Sequence, residues 1–333
     1  MCVGHCRLRD FESIWEEIEP WLAGLETRRK AAVRRLLIGI ACAVVAAPVV
    51  IALGFAASIP FPFTMMAGVI TAFGIIAMAA APLNDLRTEV KHGLNNRLAD
   101  AFSLGYLPQP GSPARFDSFR AHGLIPHSDK QAFEDHFSGE AHGADFELYE
   151  AELKQRRRSK KRTYYVTVFR GVLIRIAFPR TIEGVTLITR DKGIFNALEA
   201  LGRSAGSKKL ERIGLVDPKF ERIFEVYGTD QVMARYLMTP TFMERVLDLE
   251  RALKGKNVRG VFDEGLAEGF GKGELLLAAE TGNLFEPGSL FNQLNVRERV
   301  ETLYRDFELI EQIIALVLAP ADKPEWMGEV PPA

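Results

Sequence analysis

The sequence predicts an α+β cytoplasmic domain attached to an N-terminal two-helix transmembrane hairpin. Three observations carry this reading. From Leu36 to Asn84 there is no Asp, Glu, Lys or Arg, so all 42 basic and 43 acidic residues of the 333-residue chain lie outside that stretch. Pro60-Phe61-Pro62 divides the stretch in two. Beyond it, runs with strand periodicity give way to capped helices and then to further strands, which is an α+β order rather than a regular βαβ alternation.

Leu36–Ile59 and Phe61–Leu83 each reach roughly 35 Å as helices, enough for a hydrocarbon core of about 30 Å with some tilt. A cleaved signal peptide would begin close to Met1, but a stretch rich in Glu and Trp precedes this run. A buried hairpin of a soluble protein would not need so long a charge-free segment. Small residues recur four apart at Gly39, Ala43 and Ala47, at Gly68 and Ala72, and at Ala77 and Ala81. Such faces let helices approach closely in lipid. Pro48 is expected to kink the first span. Arg28, Arg29, Lys30, Arg34 and Arg35 crowd its start, with Glu26 the nearby opposing charge, and the turn between spans has none. The positive-inside rule therefore puts both termini in the cytoplasm, and Arg87, Lys91 and Arg97 agree.

The flanking segments follow in order. Residues 1–35 read as an amphipathic cytoplasmic helix and basic collar, with Phe11, Ile14, Trp15, Ile18, Leu22 and Leu25 at helical spacing. Its acidic polar face favours packing on protein, either the soluble domain or a second copy, over lying on anionic lipid. Residues 36–84 are the hairpin, 85–118 a helical stalk and Pro/Gly linker, 119–320 the α+β domain and 321–333 a tail. In the domain, Phe146–Leu153, Tyr164–Phe178, Val185–Thr189, Val258–Phe262 and Glu274–Glu280 read as strands. Tyr164–Phe178 carries apolar residues on even positions, interrupted at Arg170-Gly171. Asp217-Pro218, Asp230 and Thr239-Pro240 read as helix starts. Asn295 with Glu298 reads as a capping box, opening a helix striped by Val300, Leu303, Tyr304, Phe307, Ile310, Ile314 and Val317.

Several blocks occur in a telling order: Gly123-Leu124-Ile125-Pro126, Phe133-Glu134-Asp135-His136-Phe137-Ser138-Gly139, and Phe169-Arg170-Gly171-Val172-Leu173. Asp217-Pro218-Lys219-Phe220-Glu221, Phe224 through Gln231, Leu237-Met238-Thr239-Pro240 and Phe242-Met243-Glu244-Arg245 follow. With Pro20, Leu25-Glu26 and Arg28-Arg29, the chain resembles the bacterial domain-of-unknown-function family three-one-three-seven. That resemblance implies a two-span hairpin with this cytoplasmic domain, and brings no activity, substrate or catalytic residue.

The chemistry is sparse. The net charge of −1 argues against a nucleic-acid binder working by bulk electrostatics and against an acidic disordered chain. The three cysteines are Cys2, Cys6 and Cys42, so the soluble domain has neither disulfide nor Cys-based zinc site, as suits a reducing compartment. No Gly-x-Ser-x-Gly elbow occurs, and all six histidines fall at or before His142, which disfavours a Ser-His-Asp hydrolase. His122, His127, His136 and His142 lie among Asp129, Glu134, Asp135, Glu140 and Asp145, but their spacings match no metal-ligand motif. Gly269-Phe270-Gly271-Lys272-Gly273 lacks the Ser or Thr of a phosphate loop and reads as a strand connection. Glu134 and Asp135 read as turn or capping residues, with an acid/base pair as the alternative.

One feature has a mechanism attached. Lys154, Arg156, Arg157, Arg158, Lys160, Lys161 and Arg162 put seven cations into nine residues between two predicted strands. They read as a solvated hairpin loop or as a contact for anionic phospholipid. No aromatic residue interleaves them within the cluster, so nucleic acid is not an expected partner. The functional expectation is a multi-pass bacterial inner-membrane protein whose domain is an interaction, scaffolding or sensing module. Its partners would be the lipid bilayer and a protein partner or a second copy, with no cofactor or metal. The alternative is a membrane-tethered enzyme with a carboxylate/histidine site near residues 122–145.

Overall fold

The computed structural model describes residues 10–141, 144–159, 162–177, 181–190, 210–252, 257–265 and 273–318. The chain divides into two compact units, Met1–Phe102 with Phe285–Tyr304, and Ser103–Leu284 with Arg305–Ala333.

The first unit is built on two long helices, α1 (Phe11–Ala56) and α2 (Phe61–Ala101). At 1.5 Å per residue they run about 69 and about 61 Å. The expected separate amphipathic helix is continuous with the first apolar segment, because residues 25–36 contain no Gly or Pro to interrupt it. Likewise the stalk continues α2. Helix α1 passes through Pro20 and Pro48, and α2 through Pro82. The turn at Ala57–Pro60 places Ser58 at φ +57°.

Glycines at two levels set how closely the helices pack. A Cβ on Gly39 would fall 2.3 Å from the Ala79 Cβ, and one on Gly68 would fall 2.7 Å from Ile51 Cγ1. Ala43 is buried beside this seam. Two of the three expected small-residue faces thus reach the helix contact. The outward faces of the same segments are apolar and exposed: Val44, Val45, Leu53, Phe55, Phe73 and Met78 are each 66–75% accessible.

Towards the charged ends, Ile14, Ile18, Leu22 and Leu25 of α1 and Leu86, Val90, Leu94 and Leu98 of α2 are buried. Trp21 fits against α2 because residue 93 is glycine; a Cβ there would lie 2.5 Å from the Trp21 ring. Arg97 stacks on that ring at 4.1 Å. A segment far downstream completes the unit. Arg29 donates to the carbonyls of Leu290 and Phe291 at 3.1 and 3.2 Å and pairs with Glu26, which accepts from the Leu294 amide. Glu286 accepts from Lys91 at 2.9 Å and Arg87 at 3.1 Å, and Asn95 donates to the Phe285 carbonyl. Tyr304 packs on Phe11 and Phe102. Residues 285–304, expected inside the α+β domain, therefore belong with the helices. The last helix, α7, spans Arg297–Leu318 and starts two residues after the expected cap Asn295. Buried Val300, Leu303, Tyr304 and Phe307 follow its expected stripe, whereas the side chains of Ile310, Ile314 and Val317 lie outside the description.

The second unit is an antiparallel sheet with helices. Its strands are β1 (Gly105–Leu107), β2 (Lys130–Ala141), β3 (Ala144–Ser159), β4 (Arg162–Ala177), β5 (Thr186–Arg190), β6 (Glu211–Ile213), β7 (Phe224–Gly228), β8 (Arg259–Asp263) and β9 (Glu274–Ala279). Their order among the described residues is β1-β2-β3-β4-β9-β8-β5-β7-β6. Strand β1 lies where a linker was expected; Gly105–Leu107 finds an open edge of β2 to pair with. The helices are α3 (Phe116–Ala121), α4 (Pro218–Glu221), α5 (Gln231–Leu237) and α6 (Pro240–Ala252). Asp217, Asp230 and Thr239 each accept from first-turn amides, as their sequence context predicts.

The centre of the sheet is covered on both faces, and β9 is buried along its whole length. Phe116 and Phe119 of α3 pack with Leu153, Phe169, Leu173, Val261 and Leu276. Phe242 of α6 meets Phe262 at 5.4 Å. The periodicity break in β4 has two causes. Leu153 pairs with Phe169 while Lys154 pairs with Thr167, which leaves Val168 as a bulge. Gly171 is required because a Cβ there would lie 1.9 Å from the Ala279 carbonyl oxygen of β9. Phe178, expected to end this strand, lies outside the described residues.

Phe307 is fully buried and meets Phe137 of β2 edge-on at 4.9 Å. Phe307→Asp is expected to destabilise the protein by several kcal/mol, roughly 3–5, through a buried charge and a lost aromatic contact. Thermal unfolding followed by circular dichroism reads this directly, and an unchanged midpoint would contradict the packing.

Candidate functional site

The basic cluster does not form a loop. Lys154 to Ser159 lie on β3 and Arg162 on β4, paired through to Ser159 opposite Arg162. Lys160 and Lys161 lie outside the described residues. The hairpin outruns its neighbours, since β2 reaches only to Lys130 opposite Lys154, and β9 pairs with β4 only from Val172 onward. What projects is a two-stranded ribbon, exposed on both faces from Arg156 to Ser159 and from Arg162 to Thr167. Asp129 anchors its root by accepting from the Arg156 amide at 2.7 Å. The register sets Tyr165 opposite Arg156 and Tyr164 opposite Arg157. Aromatic and basic side chains alternate in space although they are separate in sequence. The missed signal was the Tyr164-Tyr165-Val166 run, legible only once the register is known.

The histidines and carboxylates of residues 122–145 do not converge. Asp135 is buried at a bulge in β2 with φ +47°, and accepts from the Tyr106 hydroxyl at 2.7 Å. His136 stacks on Tyr149 at 4.1 Å. His127 is exposed, and His142 lies outside the described residues. Glu134 instead lines a shallow recess, open to solvent, with Glu150, Glu152, Arg170 and Asn283. Glu150 accepts from the Leu284 amide, Glu152 pairs with Lys154, and Arg170 donates to Asn283. Asp135 and the histidines are not part of this recess. No group of three or more potential metal ligands occurs among the described residues.

His122 belongs to a buried ionic network with no local sequence signature. Asp263 and Glu274 face each other across β8 and β9. Arg115 pairs with Asp263 at 2.5 Å and with Glu274 at 2.8 Å. Arg175 pairs with Glu274 at 2.6 Å, and His122 Nε2 lies 3.1 Å from Asp263. Burial alone would raise the Asp263 pKa, but the His122 bond and the Arg115 charge outweigh it and hold the carboxyl below its usual range. This arrangement ties β4, β8 and β9 to the residues that flank α3.

Fold and site together describe a pair of long apolar helices joined to an antiparallel α+β unit with a projecting basic ribbon. Residues 167–318 match the family model described as Protein of unknown function (DUF3137). Comparison with the curated proteins finds no match. Among solved structures, the mycobacterial trehalose monomycolate transport factor A, TtfA, is similar at 12% identity and a TM-score of 0.31, over 71% of this chain and 100% of that one.

Two predictions follow from the buried groups. Removing Arg115 leaves two opposed carboxylates short of a cation, so Arg115→Met should destabilise the protein by about 3–5 kcal/mol, read from the denaturation midpoint. His136 is held neutral chiefly by burial, which lowers its pKa against a weaker upward pull from Glu147. The unfolded chain therefore binds this proton first, and stability falls as pH drops below about 6.5. Melting curves between about pH 7 and about pH 5 should show a smaller loss for His136→Phe than for the natural chain.

Proposed function

We propose that the chain is a two-span protein of the bacterial inner membrane with both termini in the cytoplasm. Its α+β unit serves as an interaction, scaffolding or sensing module there. The observation that supports this is the exposure of the apolar segments. In the most apolar stretches of α1 and α2, only 11% and 17% of residues are buried. A soluble core helix would hide such a surface, and a bilayer is the solvent that matches it. Leu37, Val44, Leu53, Val69 and Phe73 point outward with no charge among them.

Orientation rests on the collar. Much of its charge is paired: Arg28 forks onto Glu89 with two 2.9 Å bonds, and Arg29 is buried on Glu26. The rule for orientation counts Lys and Arg rather than net charge, so it still favours a cytoplasmic collar.

Reporter fusions made after Ala57 or Ser58 are expected to report the far side of the membrane, and fusions after Pro110 the cytoplasm. A far-side signal after Pro110 would reverse the orientation. Recovery of the full chain in the soluble fraction without detergent would remove the membrane assignment itself.

A further inference from the structure

The ribbon formed by the ends of β3 and β4 has two properties that are individually ordinary and together point to a ligand. A two-stranded hairpin with no covering layer is marginal in water, yet this one leaves Tyr164, Tyr165 and Val166 exposed by 47%, 42% and 38%. Those residues stand opposite Arg157, Arg156 and Gln155, with Arg158 next along the strand. Lys130 lies over the Tyr165 ring at 4.0 Å, adding a cation at the root. Tyrosine flanked by arginine suits the level of a bilayer where phosphate meets acyl chain: the ring is buried in the interface, and the guanidinium takes up phosphate oxygens.

The geometry points to an anionic phospholipid surface as the ligand of this ribbon. Its cations pair with headgroup phosphates, and Tyr164 and Tyr165 insert at headgroup depth. This rests on the membrane reading above, because a chain fixed in the bilayer presents the ribbon to lipid at high effective concentration. Charge complementarity selects anionic over zwitterionic lipid. The ribbon's exposed apolar side chains favour an interface with an apolar layer beneath its phosphates over a fully hydrated polyanion.

The test uses the full chain with Cys2, Cys6 and Cys42 changed to Ser, and Ser159→Cys labelled with an environment-sensitive fluorophore. The protein is placed in nanodiscs of phosphatidylcholine alone or with phosphatidylglycerol. The expected result is a blue-shifted, brighter signal in discs containing phosphatidylglycerol. It should diminish as salt rises from about 0.1 M to about 1 M, where the screening length falls from about 10 to about 3 Å. Each cation near an anionic leaflet is worth about fivefold. Arg156→Gln, Arg157→Gln, Arg158→Gln and Arg162→Gln together should therefore cut the lipid-dependent signal at least about tenfold. These side chains are exposed, so an unchanged melting curve separates lost contact from lost fold. Tyr164→Ser should keep the lipid preference and lose the part of the signal that survives high salt. Equal signals in the two disc types would overturn the proposal, as would a response to a single-stranded oligonucleotide without one to phosphatidylglycerol. If the chain stays out of discs, the membrane reading fails by itself. The same label mixed with phosphatidylglycerol vesicles then decides the lipid contact, a shift upholding it and no shift overturning it.

Discussion

Two carboxylates, Asp263 and Glu274, sit directly opposite each other where β8 pairs with β9. Like charges in that position push strands apart. This pair is also where the β1–β4 half of the sheet, extended by β9, continues into β8, β5, β7 and β6. Arg115 turns the repulsion into a fastening by bonding both, with Arg175 from β4 completing the charge on Glu274. A residue just ahead of α3 thus holds a joint formed some 150 positions later in the chain. The helix it precedes then delivers Phe116 and Phe119 to the core beside that joint.

The helical unit uses ion pairs differently. Glu26 and Glu286 are each held below the usual carboxylate range. Arg29 does this first for Glu26, while for Glu286 the cations Lys91 and Arg87 overcome a burial that works the other way. Both acids are partly shielded, and both connect residues 285–304 to α1 and α2. Residues that read as a positive collar therefore have a second duty, as the cationic half of an internal clasp. Arg34 and Arg35 carry no such contact among the described ion pairs.

What was legible in the sequence was local. The charge-free stretch, the caps at Asp217, Asp230 and Thr239, and the strand runs each depend on residues within a few positions. Gly39 and Gly68 were legible as close-contact residues because their spacing repeats along a helix. Arg115, Asp263 and Glu274 were not, since nothing near Arg115 marks it as different from a surface arginine. The ribbon was half legible. Its cations stood out, but the strands were read as stopping where the charges begin. Exposure on both faces removes the alternating pattern by which a strand is recognised. Asp135 was read as a turn residue, and the structure gives it a turn-like φ inside a strand, at a bulge capped by Tyr106.

The order of segments in the first unit has a consequence for how the molecule is made. Helices α1 and α2 are complete once residue 101 has been synthesised, but their partners at residues 285–304 come only after the whole of residues 103–284. At 5–20 residues per second, the helices wait roughly ten to forty seconds for them. During that interval Phe11 lacks the Tyr304 ring, and Arg29 and Lys91 lack their partners from the later segment. The helical pair thus stays unfinished during synthesis until residues 285–304 have been made.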